Sequence, residues 1–486
     1  MNKAYTKFSC GDEKLMSVYE KAEKAALNNI KDFAGRNVLI EGGGYTSIWL
    51  ETQPMGGEMY AKRNLEVALN NQLFFMDCQR EDGRIPGQIS CGKDGKIDPI
   101  FTHYQGNCFP RHALNMYYLA EQKKDYLEYL YSTLEKFDKH LWDTRDSDGD
   151  GCLEVWCMWD LGEDGSERLK GFHGGWDKEY PPEDTPAPFE SMDFMGYSYE
   201  NRRTLAEISD ILGNGKGDFW RTEAKKVKDK MRSYLWREDR GAFFDRDKNN
   251  EFLDTLYQGN IKAMYYGCFE RNMADRFIDE HLLNPDEFWT PMPLPSIAVN
   301  DPCFKNEKIN NWSGQSQSLT YQRSILALEQ YGRYSLIPIL ADKYINAVAK
   351  SGKFTQQFDP FTAESNVGWG IGDYGPSILT VLEFTSRLYG VSRCGNTIYW
   401  GAHDSGFDSE YTYGTGGREY TVKISGGAAH LFVDGKEKIT VSTGTRLFTD
   451  MNGDSITVVN TEDKTREITV NGRSVTAKTD AEIKIR

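Results

Sequence analysis

Apolar residues recur at helical spacing from residue 13 to about residue 390, in stretches near 13–34, 58–80, 107–121, 125–142, 190–212, 216–235, 255–268, 270–282, 313–331, 333–351 and 375–389. These eleven stretches predict helices in successive pairs, because short turns alternate with long loops rich in Gly, Pro and Asp at 81–106, 143–189 and 284–312. Loops of that length inside one domain usually carry function. A dozen paired helices with their long loops at one end would make a closed, double-layered helical barrel, so a mainly α fold is expected. After Arg393 the period changes to two, in EYTVKIS, AHLFVDG, KITVST, DSITVVN, REITVNG and AEIKI. The punctuation by Asp434-Gly435, Asn452-Gly453 and Asn471-Gly472 predicts hairpins of a small antiparallel β-sandwich. The expected division is a helical domain over 1–392 and a sandwich over 393–486.

Composition narrows the partners. A chain of 486 residues is too long for one simple core. The formal charge of -15 argues against nucleic acids and anionic membrane surfaces, both of which require clustered Lys and Arg. Neutral small molecules or polymers fit better, and the 11 Trp and 27 Tyr supply faces for stacking against sugar rings as well as core. The oligomeric state is not encoded in any recognisable pattern. No secretory h-region opens the sequence, and no 18-residue apolar run occurs. The nine cysteines are scattered without zinc or disulfide spacing, which suggests reduced thiols and a cytoplasmic setting.

Five loops carry candidate chemistry. In GGGYTSIWLETQPMGGEMY, Trp49, Glu51 and Gln53 would form a ring-stacking and hydroxyl-binding edge; no Gly-Lys-Ser/Thr follows to make a phosphate loop. In RDSDGDGCLEVWCMWDLGEDGSER, Asp146, Asp148 and Asp150 copy the start of a calcium loop, but the twelfth position is Cys157 where the bidentate Glu belongs. The same loop continues into WDLGEDGSE, where Asp160, Glu163, Asp164 and Glu167 lie beside Trp156 and Trp159. A carboxyl against aromatic surface loses solvation and its pKa rises, as a general acid requires. The third loop offers Asp177 as a rival acid, the fourth Trp312, Gln315 and Gln317, and the fifth Gln356, Asp359, Glu364, Trp369 and Asp373. No G-x-S-x-G, H-E-x-x-H or C-x-x-C occurs. What remains is carboxylate chemistry among indoles and amides, most commonly used to cleave glycosidic bonds.

With these loops in place, the chain resembles the six-hairpin (α/α)6-barrel glycosidases, nearest to family-63 glycoside hydrolases and the mannosylglycerate-hydrolase-like group, with trehalases as cousins. The resemblance spans about residues 40–390. ALNNQLFFMDCQREDGRIPG resembles the second-helix segment of the family, and RDSDGDGCLEVWCMWDLGEDGSER its arginine-aspartate turn followed by Trp-Glu-Ser-Gly-x-Asp-Asn-Ser. Aligned on Trp159, Gly162 and Ser166, the family's catalytic acid falls on Asp164. The resemblance implies an inverting hydrolase acting on an α-glucoside- or mannoside-like substrate without a cofactor. Asp164 would protonate the leaving oxygen, with Trp49, Glu51, Gln53, Trp159, Asp177, Trp312, Gln315, Gln356 and Trp369 around the sugar.

One departure is serious. QQFDPFTAESNVGWG matches the last family motif, but the general base, a Glu three residues before the Asp, is here Gln356. An amide does not accept the water's proton at neutral pH. Three explanations stay open: Asp373 or Glu364 serves instead, Gln356 was introduced to trap a ligand, or the protein is a non-hydrolytic sugar-binding relative or a phosphorylase.

Overall fold

The computed structural model describes residues 3–366, 370 and 372–485, so the expectation placed on Trp369 lies outside the described residues. Twelve α-helices are present among them. They are α1 (Glu13–Asn28), α2 (Gln53–Tyr60), α3 (Leu65–Asp77), α4 (Pro110–Leu119), α5 (Lys124–Thr144), α6 (Met192–Leu212), α7 (Gly217–Lys230), α8 (Gly259–Tyr266), α9 (Arg271–Phe277), α10 (Ser318–Gln330), α11 (Leu336–Ser351) and α12 (Gly375–Tyr389).

The helix beyond the predicted eleven arises because the stretch near 58–80 is two elements. The Asn64 side chain accepts from the backbone N–H groups of Glu66 and Val67, both at 3.1 Å, and so caps a new helix, α3. The preceding α2 contains Gly56 and Gly57, which disfavour a helix by propensity. Packing explains them: a Cβ on Gly57 would meet Asn71 at 2.7 Å, and one on Gly56 would meet Leu379 at 2.9 Å. These glycines let α2 approach both α3 and α12.

The helices fall into two kinds. The even-numbered ones touch in the order α2, α4, α6, α8, α10, α12, and α12 returns to α2, closing a ring. Every residue of α12 except Arg387 is buried, as is most of α6, whereas α7 buries only a stripe at Gly217, Trp220, Ala224 and Val227. A helix wrapped on all sides belongs to an inner layer; one with a single apolar stripe lies outside.

The chain after α12 is β-rich and sandwich-like, in two antiparallel sheets of seven and five strands. The seven-stranded sheet takes its edge strand from the other end of the chain, Tyr5–Cys10 pairing with Ser409–Thr415. Val422 and Ile424 are buried and alternate with the exposed Lys423 and Ser425, as the period of two requires. Asp434-Gly435 and Asn471-Gly472 form two-residue hairpin turns with positive φ at all four positions. Asn452-Gly453 lies in a longer connection between Thr445–Thr449 and Ile456–Asn460. All nine cysteines are free thiols. No helix among the described residues is long and apolar enough to cross a membrane.

Candidate active site

The N-terminal ends of the inner helices converge on WDLGEDGSE. Glu51 and Gln53 enter α2, Gln105 precedes α4, Asp193 opens α6, Gln258 and Lys262 open α8, Gln315 and Gln317 precede α10, and Tyr374 precedes α12. The loop is clamped on both sides. Gln105 and Gly106 donate backbone N–H groups to the carbonyls of Trp159 and Asp160, both at 2.9 Å, and Trp312 donates to the carbonyl of Asp164 at 3.0 Å. Gly162 has φ 70°, and a Cβ there would meet the Glu51 carboxylate at 2.6 Å, so the glycine gives that carboxylate its place.

The four acids of this stretch do different things. Asp160 is fully buried on Arg145 at 2.8 Å and also accepts from the backbone of Tyr104 at 3.2 Å and Trp156 at 3.1 Å; it ties loops together. Glu163 pairs with Arg168 at 2.7 Å and Lys262 at 3.2 Å; against the cost of burial, these cations hold it below the usual carboxylate range. Glu167 faces outward onto Lys305 at 2.6 Å and Lys170 at 3.4 Å. Asp164 has no cation within ion-pairing distance among the described residues. Its carboxylate accepts from the Asn310 amide at 3.0 Å, and burial pushes its pKa up to about 6 against that hydrogen bond.

Asn310 also connects Asp164 to Gln356, whose amide donates to Asn310 Oδ1 at 2.9 Å while its carbonyl accepts from the Tyr45 hydroxyl at 3.1 Å. Two further carboxylates face this group. Glu51, paired with Arg323 at 3.2 Å, is pushed by burial up to about 7. Glu41, only 5% exposed, accepts from the Tyr374 hydroxyl at 3.1 Å; burial first, then the charges of Glu51 and Asp164, hold it well above the carboxylate range. Trp49, His103 and Trp159 form an aromatic ledge. The half-buried Trp49 stacks on His103 at 6.2 Å, the exposed Trp159 meets His103 edge-on at 5.7 Å, and burial lowers His103 to about 4, leaving it neutral.

The other expected residues are distributed unevenly. Trp312 is buried beside the acid loop. The Gln53 carbonyl is committed to the backbone N–H of Trp49 at 2.7 Å, and Gln315 bonds Asn306 at 3.0 Å and Asn366 at 3.1 Å, so both amides brace loops. Asp177 is exposed. The two carboxylates expected as base are exposed as well: Glu364 pairs with Lys308 at 3.4 Å, and Asp373 is held through its carbonyl by Asn29 at 2.9 Å. Glu41, Tyr45, Asn310 and Tyr374 were missed by sequence reasoning. Asn310 was legible as a polar residue just ahead of Trp312; Glu41 had no signal beyond preceding a glycine run.

Earlier in the loop that carries Asp164, Asp146, Asp148 and Asp150 bring oxygens within 4.8 Å of one another, and Asp148, Glu154 and Glu190 do the same. Glu190 Oε2 is buried without a partner, and burial raises that carboxyl to about 8. Lys230 holds Asp150 at 3.0 Å. An all-oxygen donor set with an unsatisfied buried carboxylate fits a hard divalent cation such as calcium.

Comparison with known proteins agrees with this geometry. A family model described as the mannosylglycerate hydrolase MGH1-like glycoside hydrolase domain matches residues 49–377, about two thirds of the chain. The crystal structure of the GH63 mannosylglycerate hydrolase from Thermus thermophilus in complex with glucose is similar over 76% of this chain and 100% of that one, at TM-score 0.62 and 17% identity. Neutral trehalase from Saccharomyces cerevisiae aligns over 72% of this chain and 74% of its own, at TM-score 0.56 and 14% identity. An uncharacterized protein of Borreliella burgdorferi is 25% identical over 146 residues, a match spanning 30% of each chain.

Proposed function

The chain belongs to the MGH1-like glycoside hydrolase family, and from that membership we propose that it hydrolyses a neutral glycoside with inversion, Asp164 protonating the departing glycosidic oxygen. One observation carries the assignment of the acid. Asp160, Glu163 and Glu167 are each committed to Arg or Lys, whereas Asp164 rests on an amide and keeps a pKa of about 6. A carboxyl poised there keeps a protonated fraction just below neutrality, far larger than that of an ordinary Asp, and can deliver that proton to the departing oxygen as the C–O bond breaks.

The charge arrangement supports a neutral substrate. Arg323 is taken by Glu51, Lys262 by Glu163 and Asp193, and Arg168 by Glu163 and Asp245. Among the described residues no unpaired cation in this group is left to receive an anionic aglycone, or a phosphate nucleophile as in a phosphorylase. Trp49 and Trp159 supply ring faces, Trp312 shapes the wall behind the acid, and Gln356 presents an amide in the same pocket. The closed ring of even-numbered helices supports reading Glu13–Tyr389 as an (α/α)6 barrel, with the chain from Val391 onward as the sandwich. The expected boundary at 392/393 is corrected at the N-terminus, where Tyr5–Cys10 joins the sandwich sheet. Neutral α-glucosides, α-mannosides and trehalose, followed by NMR of the first-formed anomer, test the proposal. Hydrolysis with inversion by wild type and its loss in Asp164→Asn are expected; full activity in Asp164→Asn removes the acid assignment.

A further inference from the structure

Hydrolysis with Asp164 as acid leaves the attacking water without an acceptor at Gln356, since a carboxamide takes up no proton at neutral pH. Three carboxylates, Asp164, Glu51 and Glu41, stand within electrostatic reach of one another in this pocket. Their partners differ. Glu51 is neutralised by Arg323 and bonded by the Gln105 amide at 3.3 Å. Glu41 has no cation among the described residues: Tyr374 holds Oε1, while no described residue donates to Oε2. One oxygen is thus fixed and the other keeps its lone pairs free of any described donor.

The backbone locks Glu41 in this position. Its N–H donates to Ser47 at 3.2 Å, and its carbonyl accepts from Gly375 at 2.6 Å, the first residue of α12. The following Gly42 has φ 77°, and a Cβ there would meet the Asn29 side chain at 2.2 Å and the Asp373 carbonyl at 2.4 Å. This turn brings Tyr45 edge-on to Tyr374 at 6.2 Å. The hydroxyl of Tyr374 serves Glu41 and that of Tyr45 serves Gln356, so Glu41 shares a tyrosine wall with the residue at the family's base position.

We propose that Glu41 is the second catalytic carboxylate. Its Oε2 accepts a proton from the water whose oxygen bonds to the anomeric carbon, while the bond from that carbon to the glycosidic oxygen breaks and Asp164 gives that oxygen its proton. Exchange with solvent then returns a proton to Asp164 and removes one from Glu41. The assignment rests on the glycosidase proposal and on Asp164 as acid. Burial and the neighbouring charges of Glu51 and Asp164 hold Glu41 above Asp164, so near neutrality the pair's one proton rests mainly on Glu41 and passes to Asp164 in the minor tautomer. The reactive form carries it on Asp164, and Glu41 is then a strong base for water.

Glycosyl fluorides separate the two roles, because fluoride leaves with little help from an acid. The α and β fluorides of glucose and mannose are given to wild type, Glu41→Gln, Glu41→Ala and Asp164→Asn, with folding checked by thermal melting. Both Glu41 variants are expected to lose about 10²–10⁴-fold in turnover on the fluoride that wild type cleaves. Azide restores turnover in Glu41→Ala and gives a glycosyl azide of inverted configuration, while Asp164→Asn keeps most of its fluoride hydrolysis but loses glycoside cleavage. Glu41 variants within threefold of wild type, or a loss that azide does not rescue in a folded protein, overturn the assignment and leave Asp164 standing. Wild type inert on every fluoride overturns the glycosidase proposal beneath it.

Discussion

Asn310 donates its amide to the Asp164 carboxylate at 3.0 Å while its carbonyl accepts from Gln356 at 2.9 Å, so one side chain sets both the acid and the residue at the family's base position. That hydrogen bond lowers the pKa of Asp164 against burial. Asn310→Ala removes it, and the limb of the kcat/KM profile that Asp164 sets near pH 6 should move to higher pH. A loss of about tenfold at the optimum is expected from poorer positioning. An unmoved limb near pH 6 would show that another group sets it.

The acid also weakens the fold. Asp164 has a folded pKa of about 6, above the ordinary value of about 3.9, so between these the native state binds more protons and stability falls as pH rises. Above pH 6 the ionised, partly accessible group costs up to about 2 kcal/mol. Asp164→Asn should therefore be less active by about 10²–10⁴-fold yet more stable than wild type at pH 8, with the gain shrinking toward pH 4. Denaturant midpoints at the two pH values measure it.

Gln356→Glu restores the family residue but adds a carboxylate to a pocket already holding Asp164, Glu41 and Glu51. Like charges raise one another's pKa. The expected result is an upward shift of the alkaline limb and no gain in kcat/KM at neutral pH. A gain of tenfold or more would mean that the position is a lost base.

The Arg145–Asp160 pair is buried on both sides and braces the loop that carries Asp164. Asp160→Ala leaves the guanidinium unpaired and strands the backbone N–H groups of Tyr104 and Trp156. A destabilisation of about 3–5 kcal/mol is expected by denaturant titration. Under 1 kcal/mol would show that water replaces the carboxylate.

Calcium added to chelator-treated protein should raise the melting temperature through the oxygens of Asp146, Asp148, Glu154 and Glu190. Glu190→Gln should weaken that response. No shift at millimolar calcium would leave Glu190 as an isolated buried acid.

Much of this architecture was legible beforehand. Ten of the eleven predicted stretches correspond to single helices, and the remaining one divides where Asn64 caps α3. The Asp-Gly and Asn-Gly hairpins at 434 and 471 form as read, because two-residue turns need positive φ that these residues tolerate. The base was not legible. Glu364 and Asp373 are near Gln356 in sequence but exposed in the fold, whereas Glu41 lies more than 300 positions away and arrives beside it through Tyr374 and Tyr45.

By itself the sequence determined what depends on neighbours along the chain: helix and strand periods, the tight turns, and an acidic loop of recognisable spacing. Only the tertiary structure decided which of its four acids is left without a cation and with a raised pKa. That choice depends on where Arg145, Arg168, Lys262 and Lys305 come to rest. Asp164 is left with an amide contributed by Asn310, 146 positions further along. Desolvation and ion pairing act over a few ångströms of space, and separation in sequence does not measure that distance.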